Sequence, residues 1–142
     1  MILYLDTSAL VKRYFQEPFS EAVSEKWRTA EVIVTSSVAY AETMATIFRK
    51  RNESGIDNET IQKIIHAFRQ DWGSLIRVEV TDSLNKHIDH VIRKYPLRGF
   101  DAIHLSSALL IIEKLPQKFF FACFDMRLNQ AAFQENMETF EI

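Results

Sequence analysis

The chain has 142 residues, of which 47% are hydrophobic and 25% charged, so it fits one globular domain over residues 1–142 with a sizeable core. Its formal net charge of −2 argues against a protein that coats DNA through basic excess, but it leaves nucleic-acid enzymes open. The apolar runs are too short to cross a membrane, no signal peptide precedes the first strand-like segment, and the single Cys123 excludes an internal disulfide. We therefore expect a cytoplasmic protein.

Strand-like and helix-like segments alternate along the sequence. In chain order they are a strand at 2–5, helices at 9–15 and 20–30, a strand at 31–35, helices at 36–52 and 58–72, a strand at 75–80, helices at 82–95 and 100–114, a strand at 118–124, a helix at 125–133 and a short strand at 138–140. The strands are continuous apolar runs, as in a parallel sheet covered on both faces. This predicts a three-layer α/β/α sandwich with a short, mainly parallel sheet.

Three acidic residues are predicted to meet at the carboxyl edge of this sheet. Asp6 directly follows the first strand, Asp125 directly follows the fourth, and Asp101 opens an almost wholly apolar helix. A helix that returns over a parallel sheet starts at that same edge, so these carboxylates should lie close together. Glu42 lies inside the helix after the second strand, among apolar neighbours, and is a fourth candidate.

Converging carboxylates favour a bound cation. Such a group is stable only when some members are protonated or a cation lies among them. Oxygen ligands without His or Cys point to Mg²⁺ or Mn²⁺ rather than zinc. A divalent ion held in this way suits phosphodiester hydrolysis, because it can activate a water and neutralise the leaving oxygen. The sequence has no Walker-type or GxGxxG loop and no Ser-His-Asp or Cys-His arrangement to compete for the role.

The same residues also have purely structural interpretations. Asp6 and Asp125 occupy positions where an acid caps a helix, and Glu42 could be an exposed helix acid. Ser8 could cap the first helix, or it could hydrogen-bond a phosphate or a ligating Asp. His104 lies on an apolar helix, where an imidazole is usually a core residue with its hydrogen bonds satisfied. Its place one turn after Asp101 leaves contact with the site as the alternative.

Several short basic runs are candidate nucleic-acid contacts or, alternatively, solvated helix faces. They are Lys12-Arg13, Arg49-Lys50-Arg51, and Arg93-Lys94 together with Arg98.

Four segments resemble the PIN domain, and within it the VapC-like ribonuclease toxins of bacterial toxin–antitoxin systems. They are LDTSAL at 5–10, the helix that carries Glu42, RGFDAIHLSSALL at 98–110 and FDMRLNQAA at 124–132. The resemblance implies an endoribonuclease dependent on Mg²⁺ or Mn²⁺ that cuts RNA with a metal-activated water. Its catalytic acids would be Asp6, Glu42, Asp101 and Asp125.

The resemblance also assigns a role to each residue. Asp6, Asp101 and Asp125 would hold the metal, Glu42 would orient water or a second ion, and Ser8 would assist the site. The family usually has Thr or Ser two residues before its last acid, where this chain has Cys123. The implied partners are an RNA substrate, a small antitoxin protein and a second copy of the chain, with no membrane.

Two rival functions remain open from the residues alone. One is a PIN-like module that binds RNA or protein without cutting. The other is a phosphatase that uses Asp6 as a nucleophile, although such enzymes typically need a second Asp where this chain has Ser8.

Overall fold

Strands and helices alternate in the computed structural model, which describes residues 1–142. The elements are β1 (Ile2–Leu5), α1 (Thr7–Val11), α2 (Ser20–Thr29), β2 (Val32–Ser36), α3 (Ala39–Ser54), α4 (Asn58–Ser74), β3 (Ile76–Val78), α5 (Asn85–Lys94), α6 (Gly99–Lys114), β4 (Phe119–Ala122), α7 (Met126–Gln134) and β5 (Glu138–Thr139). None of the seven α-helices combines the length and the apolar character that a membrane span requires.

The five strands form one parallel sheet in the order β3-β2-β1-β4-β5. Strand β1 is central, and its Leu3 lies in register with Ile33 of β2 and with Phe120 of β4. The chain builds outward from β1 through β2 to β3, and then returns to the other side of β1 as β4. The strand order therefore reverses between β1 and β4, where open α/β sheets place their binding crevices.

Helices cover both faces of the sheet, which confirms the predicted three-layer sandwich. Successive side chains of β1 point to opposite faces, so Ile2 and Tyr4 join the core beneath α5, α6 and α7. Leu3 and Leu5 join the core beneath α1 to α4. Both faces of the central strand are buried, which explains why its sequence is a continuous apolar run.

Helix α6 is an internal element, as the apolar segment after Asp101 predicts. Ala102, Leu105 and Ala108 are all fully buried in the core. A helix that is apolar nearly all round needs neighbours on most of its circumference, and α6 packs against β2, α5 and α7. This packing fixes the position of the first turn of α6, and with it Asp101.

Several element boundaries differ from those predicted. Helix α1 begins at Thr7 rather than at residue 9, because the Asp6 side chain accepts a hydrogen bond from the Ala9 N–H and so caps the helix early. It ends at Val11, and the predicted helical stretch beyond it is a turn. Strand β4 ends at Ala122, two residues before the predicted end. Residues 82–84 form a 3₁₀ turn that leads into α5.

A carboxylate at the end of α7 joins that helix to the end of α5. Glu135 Oε1 lies 2.8 Å from His90 Nε2, and its Oε2 accepts hydrogen bonds from Lys94 Nζ at 3.1 Å and from the Tyr95 hydroxyl. Burial alone would raise the pKa of Glu135. The hydrogen bonds from Tyr95, His90 and Lys94 outweigh burial and hold the pKa below its ordinary value.

Replacing Glu135 with Gln should lower the free energy of unfolding at about pH 7 by about 1–3 kcal/mol, because it removes charge-assisted hydrogen bonds to three side chains. Since the folded-state pKa is lowered, this contribution is present above the ordinary pKa of a glutamate and is lost as the pH falls through the lowered value. Urea denaturation of E135Q and wild type should therefore show a gap that shrinks toward about pH 3. E141Q at the exposed C-terminus is the control, and a gap independent of pH would contradict the assignment.

Candidate active site

A cleft of about 330 Å³ lies at the carboxyl edge of the sheet, at the reversal between β1 and β4. It contains all four of the predicted catalytic acids, the predicted assisting serine and Arg98 of a predicted basic run, together with three residues that the sequence did not predict as site residues. The lining is Asp6, Thr7, Ser8, Glu42, Arg98, Phe100, Asp101, His104 and Asp125.

Asp6 is the most buried acid of the cleft, with only 5% of its surface exposed. Its Oδ1 accepts hydrogen bonds from the Ser8 hydroxyl at 2.7 Å and from the Ala9 N–H at 2.9 Å. Burial raises the pKa of Asp6 by more than His104 and these hydrogen bonds lower it. The capping interpretation and the site interpretation of Asp6 are therefore compatible, because one side chain both caps α1 and lines the cleft.

Ser8 connects the ends of the two central strands. While its hydroxyl donates to Asp6, its Oγ accepts a hydrogen bond at 3.0 Å from the N–H of Phe124, just beyond β4. This links the Asp6 turn to the Asp125 turn through a single side chain. Of the interpretations open for Ser8, the structure supports contact with a cleft Asp.

Cys123 holds the backbone of Asp125. The thiol sulfur accepts a hydrogen bond from the Asp125 N–H at 3.3 Å, and the S–H donates to the Asp125 carbonyl at 3.4 Å. Cys123 is fully buried, and burial together with the nearby Asp6 charge raises the pKa of its thiol, so the sulfur stays protonated. Cys123 is therefore a buried, unreactive thiol that supports the Asp125 turn.

Asp125 and Asp101 face the cleft from different elements. The Asp125 side chain accepts a hydrogen bond at 3.0 Å from the Leu128 N–H and so caps α7. Asp101 lies in the first turn of α6, and no protein donor hydrogen-bonds to its carboxylate. Burial raises the pKa of Asp101, and the charges of Asp125 and Asp6 raise it further. The three carboxylates thus repel one another within the cleft.

Glu42 lies in the first turn of α3, closer to the start of the helix than the sequence indicated. Its two hydrogen-bond partners, Thr7 and His104, contact the same carboxylate oxygen. Oε1 accepts a hydrogen bond from the Thr7 hydroxyl at 2.7 Å and lies 2.9 Å from His104 Nε2. Burial alone would raise the pKa of Glu42, but the hydrogen bonds from His104 and Thr7 outweigh it and hold the pKa below its ordinary value. Glu42 is therefore ionised at neutral pH, with Oε2 free of protein donors.

His104 connects Glu42 to the core. Because a carboxylate can only accept, Nε2 of His104 donates to Glu42, and the other ring nitrogen, Nδ1, lies within hydrogen-bond distance of the Tyr4 hydroxyl at 2.8 Å. Tyr4 is fully buried in β1. His104 is a buried core residue, as its apolar helix predicted, and it also contacts the cleft.

The functional residues that sequence reasoning missed had weak local signals. Thr7 stands between two selected residues, and His104 lies three positions after Asp101, a spacing that puts two side chains on one helix face. Arg98 and Phe100 flank the start of α6, and Phe100 is 58% exposed at the rim of the cleft. Arg98 belongs to a basic run that the sequence offered as a nucleic-acid contact, whereas an exposed Phe has no distinguishing pattern in a single sequence.

Comparison with known proteins identifies the fold. The sequence profile of the PIN domain matches residues 3–133. The chain belongs to the PIN domain family. This PIN domain is 33% identical over 106 residues to Ribonuclease VapC46 of Mycobacterium tuberculosis, covering 75% of this chain and 73% of that protein. It is 29% identical over 110 residues to Ribonuclease VapC49 of the same organism, covering 78% of this chain and 76% of that protein.

A solved structure shares the fold of this PIN domain over its full length. The crystal structure of VapBC2 from Rickettsia felis, bound to a DNA fragment from its promoter, matches with a TM-score of 0.63 at 15% identity. The match covers 99% of this chain and 98% of that chain. The resemblance drawn from the four sequence segments is thereby confirmed at the level of the family and the fold.

The acids of this PIN domain do not form a ready-made metal site. No three His, Cys, Asp or Glu side chains are arranged so that they could hold an ion as they stand. The donor set nevertheless fits a hard cation, because Asp6, Asp101 and Asp125 offer only oxygen ligands. The mutual repulsion that raises the pKa of Asp101 is also what a cation would relieve.

Replacing His104 with Leu should lower the free energy of unfolding by about 1–3 kcal/mol, because it leaves a half-buried Glu42 oxygen and the buried Tyr4 hydroxyl short of partners. It should also raise the pKa of Glu42, measured by carboxyl NMR titration, since His104 helps to lower it. Y4F is the matched control, because it removes one hydrogen bond of His104 and leaves Glu42 untouched. Equal stability of H104L and wild type would show that the network contributes nothing.

Replacing Asp101 with Asn should stabilise the metal-free protein at about pH 7 by about 0.5–1 kcal/mol. Because the pKa of Asp101 is raised in the folded state, its ionisation lowers the free energy of unfolding as the pH rises above the ordinary pKa of an aspartate. The neutral amide of D101N does not ionise and so avoids this loss. Thermal unfolding in EDTA should show the gain at neutral pH and no gain near pH ~3, where the carboxyl group is protonated in both states. D82N, at an exposed acid outside the cleft, controls for the change in net charge; a destabilised D101N would contradict the repulsion.

Proposed function

We propose that this PIN domain is a VapC-like endoribonuclease that hydrolyses RNA phosphodiester bonds with Mg²⁺ or Mn²⁺. The observation that carries the proposal is the carboxylate of Asp101, which no protein donor contacts, in one cleft with Asp6 and Asp125. Its relatives named Ribonuclease VapC support the reaction. The phosphatase alternative is not favoured, because Ser8 occupies the place of the second acid and binds Asp6.

Asp6, Asp101 and Asp125 are the residues that would hold the metal. When bound, such an ion activates a water and stabilises the charge that develops on the phosphate and on the leaving oxygen. Ser8 and the Ala9 N–H fix Asp6, the first turn of the buried α6 fixes Asp101, and Cys123 with the Leu128 N–H fixes Asp125. Each acid therefore approaches the cleft from a rigid element, which suits a site that must hold its geometry.

Glu42 is the residue best placed to accept a proton from the attacking water. Its lowered pKa keeps it in the basic form at neutral pH. Thr7 and His104 hold Oε1, so the carboxylate cannot rotate freely, and Oε2 is left for a water in the cleft. These contacts orient the base in the absence of substrate.

Arg98 and Phe100 make the cleft suitable for a nucleic acid. Both lie on its rim, and Phe100 presents an exposed ring on which a base can stack. The Arg98 guanidinium is exposed and pairs with no acid, so it is available to a phosphate. An RNA strand in the cleft can therefore contact the Arg98 cation and the Phe100 ring next to the catalytic acids.

The proposed cellular setting follows from the same family. The solved VapBC2 assembly supports a small antitoxin as the partner of this chain. The single buried Cys123 fits the reducing cytoplasm. A homodimer stays a prediction, which light scattering on the purified protein would test.

A PIN domain that binds RNA without cutting it is the second candidate. It is favoured by the absence of a ready-made metal group and by the hydrogen bonds that already satisfy Glu42 Oε1. Calorimetric titration with Mn²⁺ separates the candidates, since the nuclease must bind the ion at the acid cleft and a pure binding module need not.

Purified wild-type protein should cleave RNA in Mg²⁺ or Mn²⁺ and stop when EDTA is added. D6N and D101N should each lower the cleavage rate about 100-fold or more, because a neutral amide is a far weaker ligand for a hard cation. Cleavage of a fluorophore–quencher RNA gives the rate.

D82N serves as the matched control for both variants, because it makes the same substitution at an exposed acid outside the cleft. Its rate should equal that of wild type. Cleavage that persists in EDTA, or that is equal in D101N and wild type, would rule out the metal-dependent nuclease.

A further inference from the structure

A second groove begins where the acid cleft ends. Its volume is about 320 Å³, and Thr7 and Ser8 line both spaces, so the two lie side by side along α1. The remaining lining is Val11, Lys12, Glu17, Thr46, Arg49, Lys50 and Phe124. We call this space the Lys12–Arg49–Lys50 groove.

Helix α3 extends from one space into the other. Glu42 of its first turn lines the acid cleft, and Arg49 and Lys50, two turns later, line the groove. Positions seven and eight residues apart lie on one helix face. A rise of about 1.5 Å per residue puts roughly 10–12 Å along the axis between the catalytic acid and the basic pair. A chain of nucleotides can span both spaces.

The groove is electropositive despite the negative net charge of the protein. Glu17 is its only acid, and it bridges Lys12 Nζ at 3.4 Å and Lys50 Nζ at 2.8 Å, so two ammonium groups share one carboxylate. The Arg49 side chain is 60% exposed, and its acidic partner on the same helix, Glu53, is 4.0 Å away. Three cations against Glu17 and the more distant Glu53 leave an excess of one positive charge.

The two lysines of the groove are held in place. Lys12 Nζ lies 4.8 Å from the centre of the Phe124 ring, which forms part of the groove wall, and Glu17 restrains both lysines. Ammonium groups that are already ordered lose less side-chain entropy when they meet an anion. The groove is therefore preorganised for an anionic ligand.

We propose that the Lys12–Arg49–Lys50 groove binds a backbone phosphate of single-stranded RNA next to the phosphodiester that the acid cleft cuts. The proposal rests on the proposed nuclease function. A cleft of carboxylates repels a polyanion, so the substrate needs cations beside the cleft to hold it there. Arg98 supplies a cation at the rim of the acid cleft, and this groove supplies cations beyond the turn that Thr7 and Ser8 form.

The test compares two double variants that remove the same charge. R49Q/K50Q changes the groove and leaves Lys12 to pair with Glu17. K63Q/K118Q removes two cations from α4 and from the residue just before β4, outside both spaces, where Lys63 is 77% and Lys118 68% exposed. Affinity for fluorescein-labelled oligouridylate is measured by anisotropy in EDTA over a range of salt, and cleavage kinetics are measured separately with metal. Circular dichroism melting checks that both variants are folded.

R49Q/K50Q should weaken RNA binding about tenfold and reduce the slope of log K against log salt by roughly 0.7 for each phosphate that the variant no longer neutralises. Its KM should rise, whereas kcat at saturating RNA should stay within about twofold of wild type, because the groove binds substrate and does no chemistry. K63Q/K118Q should match wild type in affinity and in salt slope.

The outcomes separate this proposal from the proposed function. Metal-dependent cleavage with the same KM and salt slope in R49Q/K50Q as in the control variant would overturn the phosphate subsite and leave the nuclease standing. Groove-dependent binding of RNA without any cleavage would support the subsite and overturn the nuclease. RNA affinity that is equal in both double variants overturns the subsite whatever the cleavage result.

Discussion

A carboxylate buried at the end of the central strand constrains the whole functional edge of this protein. Asp6 has little contact with bulk water, since only 5% of its surface is exposed, so the chain must supply donors to it. These donors come from the turn that immediately follows. The Ala9 N–H starts α1 there, and Ser8 bonds both Asp6 and the backbone beyond β4. The hydrogen bonds that satisfy this one acid thus set the start of α1 and align the ends of β1 and β4, which form the cleft.

The layered fold and the acid edge could be predicted from the sequence because both depend on local patterns. Continuous apolar strands between helices indicate a parallel sheet, and an acid directly after a strand must lie at the carboxyl edge whatever the details of packing. The segment around Asp101 could be assigned to the interior because its apolar residues leave no face for solvent. These inferences needed no contact between distant residues.

The roles of Thr7 and His104 could not be predicted in this way. His104 satisfies one nitrogen with a residue 100 positions away and the other with a residue 62 positions away. A single sequence shows an imidazole on an apolar helix but not which strand and helix pack beside it. The role of Cys123 could not be predicted either. The sequence shows a thiol where the family usually has a hydroxyl, but not that the sulfur hydrogen-bonds the backbone N–H and carbonyl of Asp125.

The hydrogen-bonded series Tyr4–His104–Glu42 joins the proposed base to the interior of the sheet. Tyr4 stacks on Phe121, with ring centres 5.1 Å apart and planes 3° apart, so the phenol position depends on the packing of β1 against β4. The orientation of Glu42 is therefore set by core residues that no ligand can reach. A substitution that changes the volume of these core side chains would alter the position of Glu42 as well as the stability of the fold. Selection therefore acts on these residues for two reasons, and they should vary less than their burial alone implies.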